Sequence, residues 1–173
     1  MKVQPLTPII GAEVSGLDLC RLTDRQFDGL SDAFTEHSVL FFRDQDAMAP
    51  ADQVAFAKRF GPLHTHPAAP TLAEQDEIFV IHAHKDSKIA NGNGWHTDVS
   101  CDEEPPLATI LQMHLLPKTG GDTLFASMYA AYETLSETMK AFLLTLKAHH
   151  ESEHIYRGRY ADRGAADEDK VYP

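Results

Sequence analysis

The order of apolar patterns along this 173-residue chain predicts an α+β fold with a mainly antiparallel sheet. Helical periodicity comes early, short apolar runs typical of strands occupy the middle, and helical periodicity returns late. This segregation of helices and strands is typical of α+β proteins. The length suits one domain of ordinary size, and the sequence contains no internal repeat.

The first third of the chain predicts a short strand followed by two helices. The strand covers residues 12–14, between two glycines. Thr23, with Gln26 three residues later, has the signature of a capping box, and the apolar residues that follow fall on one helix face. Pro50 is favoured at the first position of a helix, and we expect that second helix to end at Gly61.

The middle and the end of the chain predict buried strands and then two more helices. The expected strands are apolar runs at residues 39–42, 78–81 and 108–116. The late helices begin near Tyr129 and at Ser136. We expect the last helix to bury an apolar stripe made of Met139, Phe142, Leu143 and Leu146.

Composition excludes several classes of protein. The formal net charge of −11 opposes binding to a phosphate backbone, so we expect no nucleic-acid partner. No apolar run approaches the roughly 18 residues of a membrane span, so we expect no membrane association. The N-terminus lacks the apolar run of a signal peptide, and two cysteines without metal or redox spacing suit a reducing cytoplasm. Ten histidines are unusual, and histidine is the commonest metal ligand.

One segment combines two types of metal ligand. In an extended chain His96 and Asp98 point to the same face and can converge on one ion. An imidazole and a carboxylate are two thirds of the two-His-one-carboxylate triad of non-haem Fe(II) enzymes. By itself the pattern is weak, because about one His-x-Asp is expected by chance at this composition, and Asp98 could equally cap a turn.

Other histidines offer alternative sites. His-x-His pairs stand at His64 with His66 and at His82 with His84, as in cupin-like zinc or manganese proteins. Residues 149–151 add a His-His-Glu run after a helical stretch, where histidines also suit the helix dipole.

Several motifs in a fixed order resemble the taurine dioxygenase-like family of Fe(II)- and 2-oxoglutarate-dependent dioxygenases. The likeness extends from about Gln4 to about Glu151. Its motifs are Arg59-Phe60-Gly61-Pro62-Leu63-His64-Thr65-His66-Pro67, Trp95-His96-Thr97-Asp98-Val99, Pro105-Pro106 and Gly120-Gly121-Asp122-Thr123-Leu124. The combination of the second and fourth motifs is far more specific than either alone.

The resemblance implies a double-stranded β-helix (jelly roll, cupin-like) core flanked by helices. His96 and Asp98 match the family's first two iron ligands, and Thr123 matches the threonine that binds 2-oxoglutarate. The implied reaction uses O2 to decarboxylate 2-oxoglutarate to succinate and CO2 while a small organic anion is hydroxylated. Fe(II), 2-oxoglutarate and O2 are therefore the expected cofactor and co-substrates.

The resemblance also assigns substrate contacts and indicates a departure from taurine. His66 and Val99 match substrate-contacting positions, and a sulfonate-binding asparagine falls near Gly92, between Asn91 and Asn93. One of the two alanines at 68–69 stands where taurine-specific relatives have a tyrosine. The smaller alanine side chain is expected to widen the pocket. We therefore expect a larger or more apolar anion, such as another sulfonate, a sulfate ester or an aryloxy acid.

The family's distal iron-binding histidine and its arginines have no counterpart in residues 1–173. We accordingly expect the chain to be the N-terminal part of a single dioxygenase domain, incomplete at its C-terminus and lacking the closing strands. The alternative is a truncated, non-catalytic paralogue or binding module of the same fold. We further expect a homo-oligomer, either a dimer or a tetramer, in the cytoplasm.

Overall fold

A computed structural model describes most of the chain, namely residues 1–67, 71, 72, 74–87, 92, 94–159, 171 and 172. The chain divides into two compact units. The first unit contains Met1–Ala47 and Gln112–Lys147, and the second contains Met48–Leu111 and Ala148–Pro173. No helix in the described residues is long and apolar enough to cross a membrane.

Helices and short strands are mixed within the described residues. The strands are β1 (Lys2–Pro5), β2 (Ala12–Ser15), β3 (Leu40–Phe41), β4 (Thr71–Leu72) and β5 (Gln75–Phe79). The helices are α1 (Asp24–His37), α2 (Pro50–Lys58), α3 (Met128–Glu133), α4 (Glu137–Leu143) and α5 (Glu153–Tyr156).

The first unit is built on a three-stranded sheet in the order β1-β2-β3. β1 runs antiparallel to β2, with Val3 opposite Val14, whereas β3 runs parallel to β2. Ala12 and Val14 are buried, which explains why the middle strand is the anchor of this sheet. The predicted strand at 39–42 is thus confirmed in part, because only two residues pair and both are half-buried.

α1 confirms the capping-box prediction. The Thr23 hydroxyl accepts from the Gln26 backbone N–H at 3.3 Å, and the Gln26 side chain accepts from the Thr23 N–H at 2.9 Å. Leu30 and Ala33 bury the predicted apolar face. The helix ends at Ser38, which adopts a left-handed φ of 62° and donates its N–H to the Phe34 carbonyl.

The late helices begin where predicted, but their apolar stripe is not buried. Ser127 and Ser136 accept hydrogen bonds from the first turns of α3 and α4. The predicted stripe is exposed instead, at Met139, Phe142, Leu143 and Leu146. Helical spacing identifies an apolar face, but a face is buried only where another element packs on it.

The second unit contains α2 and a two-stranded antiparallel sheet of β4 and β5. α2 begins at Pro50 as predicted, buries Phe56 and contacts β5. The strand predicted at 78–81 is displaced, because β5 ends at Phe79 while Val80 and Ile81 are exposed. Pairing with β4 sets those limits, and hydrophobicity alone does not reveal a partner strand.

The strand predicted at 108–116 is wrong for the described residues, which are irregular there. The apolar side chains that suggested it are exposed at Leu111, Met113, Leu115 and Leu116. A strand needs hydrogen bonds from a neighbouring strand, and no described strand pairs with this segment.

Candidate functional site

His96 and Asp98 face each other in the second unit, as the sequence predicted. Their side chains bring Nε2 of His96 to 3.2 Å from Oδ1 of Asp98, although the backbone forms a turn rather than a strand from Asp98 onward. Two atoms that each lie about 2.1 Å from one ion, at right angles, are about 3.0 Å apart. The pair therefore fits adjacent positions on an octahedral metal, and about half of each side chain remains exposed (56% and 49%).

Neighbouring groups orient both candidate ligands. Nδ1 of His96 lies 2.8 Å from the Gly94 carbonyl, which can only accept, so Nδ1 carries a proton. The other ring nitrogen, Nε2, faces the Asp98 carboxylate. Thr109 donates its hydroxyl to Oδ2 of Asp98 at 2.7 Å and leaves Oδ1 turned toward the imidazole.

The turn after Asp98 is strained. Val99 has a left-handed φ of 50°, which is rare for a β-branched residue. Such a conformation costs on the order of 1–3 kcal/mol and persists only where surrounding contacts hold it. Asp102 donates its backbone N–H to the Val99 carbonyl at 3.2 Å, and Ser100 lies 3.0 Å from Nδ1 of His150. Val99, a predicted substrate contact, is half-buried within this turn.

His66, another predicted substrate contact, is packed among aromatic rings. Its ring centroid lies 5.3 Å from that of Phe79 and 4.8 Å from that of Tyr156. Tyr156 in turn contacts Tyr172 edge-on, and Tyr172 is buried. The role of Tyr156 was missed from the sequence, where the one signal was an aromatic residue in a polar tail.

Gly92 lies beside the candidate metal ligand. A Cβ at this position would be 3.8 Å from Cε1 of His96, which is an ordinary contact. Glycine is favoured here by its left-handed φ of 76° rather than by lack of space. Asn91 and Asn93, also predicted near the substrate, lie outside the described residues.

Thr123 belongs to the first unit, whereas His96, Asp98 and Gly92 belong to the second. It is exposed and follows Gly120 and Gly121, which both adopt the left-handed φ values that glycine tolerates. A Cβ on Gly121 would lie 3.1 Å from Cγ of Pro117, a tight contact, so glycine is favoured at this position by its φ of 74° and by the limited space.

Histidines of the two His-x-His pairs have contacts of their own. His64 contacts Asp102 with Nε2 and Oδ2 2.9 Å apart, and Nδ1 of His84 accepts from the Asp86 N–H at 3.2 Å. Among the residues that the structure describes, no group of three His, Cys, Asp or Glu side chains is arranged to hold a metal. The cupin-like His-x-His alternative therefore gains no support, and the described part of the candidate site contains two candidate ligands, His96 and Asp98.

Known proteins resemble this chain over most of its length. An alkylsulfatase of Acinetobacter baylyi is 39% identical over 159 residues, covering 91% of this chain and 49% of that protein. An (S)-phenoxypropionate/alpha-ketoglutarate-dioxygenase of Sphingobium herbicidovorans is 36% identical over 151 residues, covering 86% and 52%. The chain thus spans about half the length of these curated relatives.

Solved structures and a family model agree with those relatives. The crystal structure of a taurine dioxygenase from Burkholderia xenovorans matches with a TM-score of 0.70 at 34% identity, covering 82% of this chain and 50% of that one. The family model for taurine catabolism dioxygenases, the TauD, TfdA family, matches residues 2–173. The chain therefore belongs to the TauD/TfdA family.

Proposed function

We propose that the protein carrying this chain is an Fe(II)- and 2-oxoglutarate-dependent dioxygenase that hydroxylates a small organic anion. The observation that carries the proposal is the 3.2 Å separation of Nε2 of His96 and Oδ1 of Asp98 in a member of this family. That separation suits adjacent ligands of one ion, and two positioned ligands leave coordination sites for further groups.

Different residues of this chain would bind the metal, orient its ligands and bind the co-substrate. His96 and Asp98 would hold the iron, and the contacts with the Gly94 carbonyl and the Thr109 hydroxyl would orient the two side chains for that role. When bound, iron supplies the redox chemistry that couples 2-oxoglutarate decarboxylation by O2 to hydroxylation. Thr123, which matches the family's 2-oxoglutarate-binding threonine, would donate its hydroxyl to a carboxylate oxygen of that co-substrate.

Substrate recognition is assigned to positions that match substrate contacts in the family. His66, which packs against Phe79 and Tyr156, would contact the anion through its imidazole ring. Val99 and Gly92 are further proposed contacts, together with Asn91 and Asn93, which lie outside the described residues. Relatives of this chain include an alpha-ketoglutarate-dependent sulfate ester dioxygenase and an alpha-ketoglutarate-dependent sulfonate dioxygenase, beside the phenoxypropionate enzyme. A sulfate ester, an aryloxy acid or a sulfonate larger than taurine is therefore the proposed substrate class.

The proposal extends to the whole protein. Both units belong to the N-terminal part of one dioxygenase domain with a double-stranded β-helix core, and the protein is a cytoplasmic homo-oligomer. The 0.70 TM-score to a taurine dioxygenase supports the shared fold.

Anaerobic titration with Fe(II) and 2-oxoglutarate tests this function in the protein as its gene encodes it. A visible metal-to-ligand charge-transfer band should appear, and a substrate screen should release succinate. His96→Ala and Asp98→Ala should each abolish both signals, while His82→Ala, which alters an exposed histidine away from this pair, should keep them. Failure of the unmodified protein to give the band or succinate would instead support a non-catalytic member of the fold.

A further inference from the structure

We propose that His64 is a positioning residue for the metal site, acting through its hydrogen bond to Asp102. This inference rests on the proposed function, because it assigns His64 a role in holding Asp98 against its partner ligand. Nε2 of His64 lies 2.9 Å from Oδ2 of Asp102, which is outside the candidate ligand pair.

His64 is attached to a well-anchored part of the second unit. It follows α2, whose Phe56 is buried and packs edge-to-face on Phe60 with ring centroids 5.5 Å apart. α2 also contacts β5. The imidazole of His64 thus projects from a segment with its own core.

The contact is more protected than other histidine–carboxylate contacts in this unit. The side chains of His64 and Asp102 are 25% and 21% exposed, compared with 66% and 43% for His154 and Glu151 at the same 2.9 Å distance. Protection from water strengthens a hydrogen bond to a carboxylate, and it raises the cost of leaving either group without its partner.

Asp102 closes the turn that begins at Asp98. Its backbone N–H binds the carbonyl of Val99, the residue in the strained left-handed conformation. If Asp102 is released from His64, Val99 is free to relax toward ordinary backbone angles. Because Asp98 directly precedes Val99, that relaxation changes the direction of its carboxylate relative to His96.

Two further contacts hold the same turn from other segments. Thr109 binds the Asp98 carboxylate, and His150 binds the Ser100 hydroxyl. Alternate residues of the turn, at 98, 100 and 102, are therefore each tied to a different part of the second unit. Of these three contacts, the one between His64 and Asp102 joins two side chains that are both mostly buried.

Fe(II) affinity, measured by anaerobic calorimetry without co-substrate, tests this role in the protein as its gene encodes it. His64→Ala should raise the Fe(II) Kd roughly tenfold, which is typical for loss of a group that orients a metal ligand. His64→Gln, whose side-chain amide N–H can reach Asp102 in place of Nε2, should stay within about threefold of the unmodified protein. His154→Ala removes an exposed contact of equal length and should leave the Kd unchanged. Circular dichroism spectra and melting temperatures verify that each variant is folded.

The outcomes separate this inference from the proposed function. An unchanged Kd in His64→Ala, an equal loss in His64→Gln, or an equal loss in His154→Ala would each overturn the positioning role, even if His96→Ala abolishes binding. If the unmodified protein and His96→Ala bind Fe(II) equally, the proposed metal site itself is wrong and this inference falls with it. Combining His64→Ala with Asp102→Ala should weaken binding no further than either change alone, because both remove the same contact.

Discussion

Helix α1 and the candidate ligand turn at 94–102 are held in place by opposite means. α1 is defined by neighbours in sequence: Thr23 caps it with Gln26, and Leu30 is 1% exposed. The turn exposes about half of each candidate ligand and depends on contacts from distant segments, such as Thr109 on Asp98 and His150 on Ser100. The helix thus contributes buried side chains that stabilise the fold, whereas the candidate metal ligands lie in a turn that contacts from other segments hold in place.

That difference has a physical reason. An apolar side chain is stabilised by leaving water, whereas a metal ligand must keep an open face toward substrate and solvent. A ligand turn therefore cannot rely on burial and needs directional hydrogen bonds instead. The left-handed Val99 shows that these bonds hold the backbone in an unfavourable conformation.

Leu30→Ala gives the largest expected effect and tests how much burial of an α1 side chain stabilises the folded protein. Removing a fully buried leucine side chain leaves a cavity, so the free energy of unfolding should fall by about 3 kcal/mol. Urea unfolding followed by circular dichroism measures it. The Fe(II) affinity of the folded variant should not change, because Leu30 belongs to the first unit and the ligand pair to the second.

Leu115→Ala is the matched control, since Leu115 is 81% exposed. Its free energy of unfolding should stay within about 0.5 kcal/mol of the unmodified protein. Equal losses from the two leucine substitutions would show that burial does not distinguish these regions.

Thr109→Val has a smaller expected effect and tests the turn. Valine keeps the shape of threonine but cannot donate to Oδ2 of Asp98, so the Fe(II) Kd should rise by about tenfold. Thr35→Val is the control, because the Thr35 hydroxyl binds only the Ser31 carbonyl within α1. Calorimetry that finds equal Fe(II) affinity in both variants would contradict the dependence of the turn on this hydrogen bond.

Sequence patterns predicted the features that depend on near neighbours. The caps at Thr23 and Ser136 and the start of α2 at Pro50 were all correct, because each depends on a few adjacent residues. The approach of His96 to Asp98 was also anticipated, since two positions along the chain separate them.

Features that depend on distant partners were not predicted. The alternation at 108–116 resembles a strand, but strand formation requires a neighbour that local sequence does not reveal. Thr109 and Tyr156 were missed for the same reason, and His64 was considered only as a metal ligand, since the contact of each with a remote segment is not visible in local sequence. Tertiary contacts, rather than local patterns, orient the candidate site.

Glu151→Gln has the smallest expected effect and shows what a histidine–carboxylate contact contributes outside the turn. The hydrogen bond from His154 is the main reason that the pKa of Glu151 lies below its ordinary value of 4.5. A lowered carboxyl pKa stabilises the folded state above pH 4.5, and this contribution disappears as the pH falls through the folded-state pKa.

Because both side chains are substantially exposed, the melting temperature at pH 7 should fall by at most about 2 °C in the variant, and 0.5 M salt should reduce the difference. The two proteins should melt together once the pH is well below 4.5, whereas the Fe(II) Kd at pH 7 should be the same in both. If the Fe(II) Kd instead rises as much as in His64→Ala, the exposed His154–Glu151 contact would affect the metal site as strongly as the His64–Asp102 contact. The ligand turn would then not depend specifically on its own contacts.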